Sequence, residues 1–247
     1  MMHAIRPLPS GVRLVHVRVR RCQAASCLAS IDADVGVQKA IIQAGCLAPL
    51  VALLRSDASA AAQAFAAKAL ANAASYGPEE GQNAIVRLGA LPLLLALLVV
   101  GKAQTPAAGT LANLAAFNAS VQAEILSVGG IAPLLALLNG RNIEAAVAAA
   151  AALAEIARDN LETQAAIARA GGILPLLALL SSTSSAAQSK GMAALAQLAS
   201  GNSDNQDAIA RMGGIRPLIN LLDASTSKWG RPCARCVPVC ATVRDRV

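Results

Sequence analysis

One signature recurs five times along this chain of 247 residues and constrains its fold more than any other feature. It reads Gln, two residues, Ile, three residues, Gly, one residue, Leu or Ile, then Pro and a Leu-rich run. The Gly positions are Gly45, Gly89, Gly129, Gly171 and Gly213, spaced by 44, 40, 42 and 42 residues. The Ile before each is Ile41, Ile85, Ile125, Ile167 and Ile209, and the Gln is Gln38, Gln82, Gln122, Gln164 and Gln206. Self-similarity at this period marks an array of small modules. None can bury its apolar face alone, so neighbours must stack.

Each module reads as three helices. A short first helix runs from the Gln toward the Gly, which can take the left-handed conformation that ends a helix. Pro49, Pro92, Pro133, Pro175 or Pro217 then sits near the first turn of a second helix, where its missing N–H costs nothing. That helix carries Leu at i, i+3 and i+4, as in Leu134/Leu137/Leu138 and Leu176/Leu179/Leu180, one apolar stripe at helical period. Polar or Gly-bearing breaks follow, such as Asn139–Asn142 and Ser181–Ser185. A longer Ala-rich third helix comes next. It ends on a shared core: Ala69-Leu70-Ala71-Asn72, Thr110-Leu111-Ala112-Asn113, Ala152-Leu153-Ala154-Glu155 and Ala194-Leu195-Ala196-Gln197. Small residues there let neighbouring third helices approach closely. Composition agrees: the chain is 55% hydrophobic but only 2% aromatic, and Ala and Leu favour helices over β-sandwiches or barrels.

Three helices in about 42 residues, with the Gly-Gly-Ile-x-Pro-Leu-Leu-x-Leu-Leu segments Gly129–Leu138 and Gly171–Leu180, resembles the armadillo repeat. The resemblance spans residues 22–223. It implies an all-α fold, a right-handed α-solenoid or armadillo-like superhelix of three-helix repeats. The expected organisation is a basic disordered tail over 1–21, an armadillo-repeat domain over 22–227 and a Cys- and Arg-rich tail over 228–247. The domain would open on a partial repeat, because Ala25–Ser30 resembles the end of a third helix whose first part is missing. Units with Gly45, Gly89, Gly129, Gly171 and Gly213 would follow.

In armadillo proteins third helices line a concave groove that binds extended peptides, and an Asn there bonds the ligand backbone. By position that slot holds Asn72, Asn113, Glu155 and Gln197. The first two match the family and the last two depart from it. One turn earlier, importin-α-like members carry a Trp that clamps Lys side chains. Here that slot holds Lys68, Gly109, Ala151 and Ala193, which opposes a nuclear-import adaptor. One turn later lie Tyr76, Phe117, Asp159 and Gly201. Tyr76 and Phe117 are candidate anchors, since aromatic residues concentrate binding energy. Two alternatives stay open: Phe117 packs in the loop before the next unit, and Asn72 and Asn113 bond the neighbouring repeat's backbone. Glu155 with Arg158 and Asp159 reads most simply as a solvated face.

The implied function is a non-catalytic protein–protein interaction scaffold that holds an extended partner segment in its groove. The alternative is the substrate-recruiting armadillo region of a ubiquitin-ligase-type protein, although the U-box of such plant ligases is absent from these residues. A vacuole-associated, lipid-anchored armadillo protein would need Gly after the initiator, where this chain has Met2.

Enzymatic chemistry finds little support. The two His residues, His3 and His16, lie near the start, so the repeats lack a Ser-His or Cys-His pair. No Gly-x-x-x-x-Gly-Lys-Ser/Thr or Gly-x-Gly-x-x-Gly occurs, and the Gly-Gly pairs read as helix junctions. Cys233, Cys236 and Cys240 form a C-x2-C-x3-C pattern without the fourth ligand that zinc wants. Neither metal nor cofactor is therefore expected. Cys22, Cys27 and Cys46 are expected as buried, reduced thiols.

The formal net charge of +7 is concentrated at the ends. Residues 1–21 carry five Arg and no acid, residues 228–247 a net +4, and the body between 11 basic and 13 acidic side chains. A nucleic-acid binder would show its basic patch on the folded body. The longest run free of polar side chains, Leu91–Val100, is half a membrane span. Expected partners are thus protein segments, with no nucleic acid and no membrane span, in the cytoplasm or nucleus. Residues 1–21 resemble an organellar transit peptide in composition, but Pro7, Pro9 and the Val15–Arg20 alternation do not suit an amphipathic helix. After Leu222 a third helix should begin, and instead Trp229, Gly230, two Pro and three Cys follow. This end is expected to be that of a fragment or a mispredicted gene, with self-association through the uncapped C-terminal repeat as the alternative.

Overall fold

The computed structural model describes residues 10–30, 42–55, 58–75, 79–99 and 103–228. Every regular element among them is an α-helix. Helix α1 (Ser10–Ser30) comes first. The module of Gly45 contributes α2 (Leu47–Leu53) and α3 (Ala60–Ser75). That of Gly89 contributes α4 (Glu79–Arg87), α5 (Ala90–Val99) and α6 (Gln104–Ala115). The third module has α7 (Ala119–Ser127), α8 (Ile131–Leu138) and α9 (Ile143–Ile156). The fourth has α10 (Leu161–Arg169), α11 (Ile173–Leu180) and α12 (Ser185–Ala199), and the fifth α13 (Ser203–Arg211) and α14 (Ile215–Lys228). The third helices α3, α6, α9 and α12 pack side by side, with α1 beside α3. The fold is an all-α solenoid.

The junction between first and second helix explains the signature. Gly129, Gly171 and Gly213 have φ of 75°, 80° and 78°, where a side chain is strained. The next Gly closes a Schellman motif: Gly130 N–H donates to the Ile125 carbonyl at 2.9 Å, and Gly172 N–H to that of Ile167 at 3.0 Å. A Cβ on Gly172 would lie 2.7 Å from Ile167 Cγ2 and 3.1 Å from Leu135 Cδ2 of the module before. One backbone turn thus sets the bend inside a module and the close approach of its neighbour.

The Leu stripes form one continuous core with the Ala-rich third helices. Leu94, Leu134 and Leu176 are fully buried. Truncating such a Leu to Ala typically costs about 2–5 kcal/mol.

Two expectations are corrected. Of residues 1–21, assigned to a disordered tail, those from Ser10 onward are helical, and α1 takes the place of a third helix beside α3. Buried Ala25 and Ala29 join it to the common core. Past Leu222, α14 continues unbroken to Lys228, and residues 229–247 lie outside the described residues. The thiols of Cys22 and Cys46 are half-buried and that of Cys27 is exposed, so none is a core thiol. Cys233, Cys236 and Cys240 lie outside the described residues.

Candidate functional site

The ends of the third helices bring the nominated residues together, and their hydrogen bonds decide the role of the two Asn. Asn113 Nδ2 donates to the Ala71 carbonyl at 2.9 Å and to Ser75 Oγ at 2.6 Å, both on the preceding third helix. Asn72 Nδ2 donates to the Ala29 carbonyl of α1 at 3.2 Å. Both amides therefore tie neighbouring helices. Asn113 uses both its hydrogens in this way and can offer a partner only its oxygen.

Glu155 fills the same slot without the cross-helix bond. Its carboxylate takes a two-point hydrogen bond from Arg158, Nε to Oε2 and Nη2 to Oε1, each 2.8 Å. The guanidinium lies 4.7 Å from the centre of the Phe117 ring on the preceding module. The hydrogen bond to Glu155 raises the Arg158 pKa, burial opposes it, and the charges of Glu155 and Asp159 add to the rise. Phe117 is 71% exposed, so its ring is held by a cation on one side and open on the other. Its φ of 57°, like the 51° of Asp159, is left-handed; Gly201 takes this conformation at the same place one module on. These residues are the turn after each third helix, where only Gly adopts φ > 0 at no steric cost.

Lys68 is exposed one turn before Asn72, and Gln197 is half-buried at the fourth module's slot. Tyr76 lies outside the described residues. Among the described residues no group of three His, Cys, Asp or Glu could hold a metal ion, and no single helix is long and apolar enough to cross a membrane. A shallow cavity of about 350 Å³ lies elsewhere, between Val99, Gln104, Pro133, Leu137 and Arg141.

Comparison with known proteins decides the family. No protein-family model matches the chain, and neither does any curated protein. Among solved structures, computationally designed armadillo repeat proteins for modular peptide recognition are 31% identical, over 86% of this chain and 87% of theirs, with a TM-score of 0.72. The chain belongs to the armadillo-repeat family. An engineered protein is 36% identical over 90% of this chain and 87% of its own, with a TM-score of 0.80. A designed armadillo repeat protein solved in complex with the peptide (KR)4 is 27% identical over 96% and 94%, with a TM-score of 0.76.

Sequence reasoning missed a second recurring feature, on the edge where first helices begin. Asn118, Asn160 and Asn202 cap α7, α10 and α13, each accepting through Oδ1 from an N–H three residues on. Through Nδ2 they also donate to Gln82, Gln122 and Gln164 of the preceding module, at 2.9, 3.3 and 3.2 Å. Each Gln donates in turn to two carbonyls at third-helix ends: Gln82 to those of Asn113 and Ala116, both at the end of α6, and Gln122 and Gln164 each to the ends of two successive third helices. Gln122, for example, reaches the Ala115 carbonyl at 3.2 Å and that of Glu155 at 2.9 Å. These three Gln are at most 5% exposed. The available signal was an Asn four residues before the Gln, at 118/122, 160/164 and 202/206.

Proposed function

We propose that the third-helix face of this armadillo protein is a groove that holds an extended segment of a partner protein, without catalysis. The observation that carries this is the exposed ring of Phe117, fixed by Arg158 in a strained left-handed turn. A large apolar surface held rigid before binding loses little entropy when a partner covers it. Designed relatives made for modular peptide recognition support a peptide segment as the kind of partner. The partner differs from the (KR)4 peptide of one relative: Lys68 repels a cationic segment at the first module and favours a carboxylate there. Asn113 contributes an acceptor for one backbone N–H of the segment.

Selection of 12-residue random peptides displayed on phage, followed by calorimetric titration, tests this. Selected peptides should lose at least about tenfold in affinity with Phe117→Ala, and about threefold with Lys68→Glu unless an acidic residue is changed to Lys in compensation. Peptides that bind both variants as tightly as the parent chain place the site elsewhere.

A further inference from the structure

Among the described residues, the first and last elements of the stack each present a partly uncovered face, and the two faces are halves of one module. Asn72 bonds the Ala29 carbonyl as Asn113 bonds that of Ala71, which aligns α1 with the later third helices. In that register Leu28 matches Leu70, Leu111, Leu153 and Leu195, all buried to 1% exposure or less, yet Leu28 is half-buried. Ala24 matches the buried Ala66, Ala107, Ala149 and Gly191, and Cys27 the buried Ala69, Thr110, Ala152 and Ala194, yet both are exposed. Inside the stack these positions face the first and second helices of their own module. A Cβ on Gly191, for instance, would meet Leu179 Cβ at 3.1 Å and the Leu176 carbonyl at 3.2 Å.

The far end shows the converse. Ile215, Leu218 and Leu221 are half-buried, where Ile173, Leu176 and Leu179 are buried beneath α12. Ile219 is 50% exposed, where Leu135 and Leu177 are 8% and 7% exposed beneath the next module. Among the described residues, α1 is thus a third helix without a first and second, and α13 and α14 are a first and second without a third. Because α14 runs straight on rather than turning back, it does not cover its own stripe.

We propose that a second copy of this chain docks its α1 on the α13–α14 face, completing one armadillo module at the joint. Ala24 supplies the small residue that every other third helix carries at the point of close approach. The contact uses different faces on the two copies, so it leaves a free face at each end and extends rather than closing at a dimer. This rests on the end faces and not on the groove.

Sedimentation velocity on the full chain, from about 1 to about 200 μM, tests it. Weight-average mass should rise past that of a dimer. Ala24→Arg and Ile219→Arg both change exposed residues, and each should weaken association at least about tenfold; Cys27→Lys is a second α1 variant. Circular dichroism melting should leave all three folded. An equimolar mixture of Ala24→Arg and Ile219→Arg retains one intact face of each kind and should form dimers and nothing larger. A parent chain that stays monomeric, as it would with residues 229–247 or another protein on the α14 face, overturns the proposal. So does a single variant that assembles like the parent, or a mixture that remains monomeric.

Discussion

The two edges of this stack follow opposite rules. Where the first helices begin, the same chemistry repeats: Gln82, Gln122 and Gln164 each donate to two carbonyls at third-helix ends, the last two bridging successive third helices, and Asn118, Asn160 and Asn202 each cap one helix while bonding the previous module. On the third-helix face a single slot holds Asn72, Asn113, Glu155 and Gln197 in turn. Modules that must stack share the groups that dock them. Groups that change from module to module are available to address something outside. Asn72 and Asn113 sit between the two rules, because they occupy the variable slot and still tie neighbours.

Four substitutions would break or sharpen that contrast. The largest effect is expected for Gln122→Ala, which removes three hydrogen bonds across two module boundaries and strands buried polar groups. It should cost about 3 kcal/mol or more in urea unfolding. Next comes Gly172→Ala, whose Cβ meets Ile167 and Leu135 closer than van der Waals contact allows. The expected loss is about 2 kcal/mol, moderated by whatever local shift lets Ala90 occupy the equivalent place in the second module. Asn113→Ala should cost about 1 kcal/mol, since its two bonds lie partly in solvent. A Tm unchanged by Asn113→Ala would return that residue to the variable class. Gln197→Ala should stay within about 0.5 kcal/mol of the parent, and a larger loss would mean that the fourth slot is structural too. The Glu155–Arg158 pair adds no titration to these measurements from the Arg side. A raised arginine pKa gives stability that is complete below the ordinary arginine value and lost only above it.

The legible part of this fold was local. A left-handed Gly, a first-turn Pro and a Leu stripe each obey constraints within a few residues, so Gly129, Pro133 and Leu134 declared their roles in the sequence. Asn72 and Asn113 did not, because an amide serves a ligand or a neighbour equally well, and the neighbour's carbonyl is some 42 residues away. Phe117 was singled out as an aromatic. Its strained backbone had no sequence signal beyond sharing register with Gly201. Helix α1 was concealed by its Arg and Val content. From Val12 to Ser30 it contains neither Gly nor Pro, and packing through Ala25 and Ala29 outweighs the weak helix propensity of its Val residues.

The twin duty of Asn118, Asn160 and Asn202 couples the start of each first helix to the presence of the module before it. Every such tie closes a loop no longer than one repeat, such as the 36 residues from Gln82 to Asn118. Lengthening the array therefore adds no distant pairing to be found. Ordering advances as a front from one repeat to its neighbour, and loosening recedes from α14, whose stripe has the least cover.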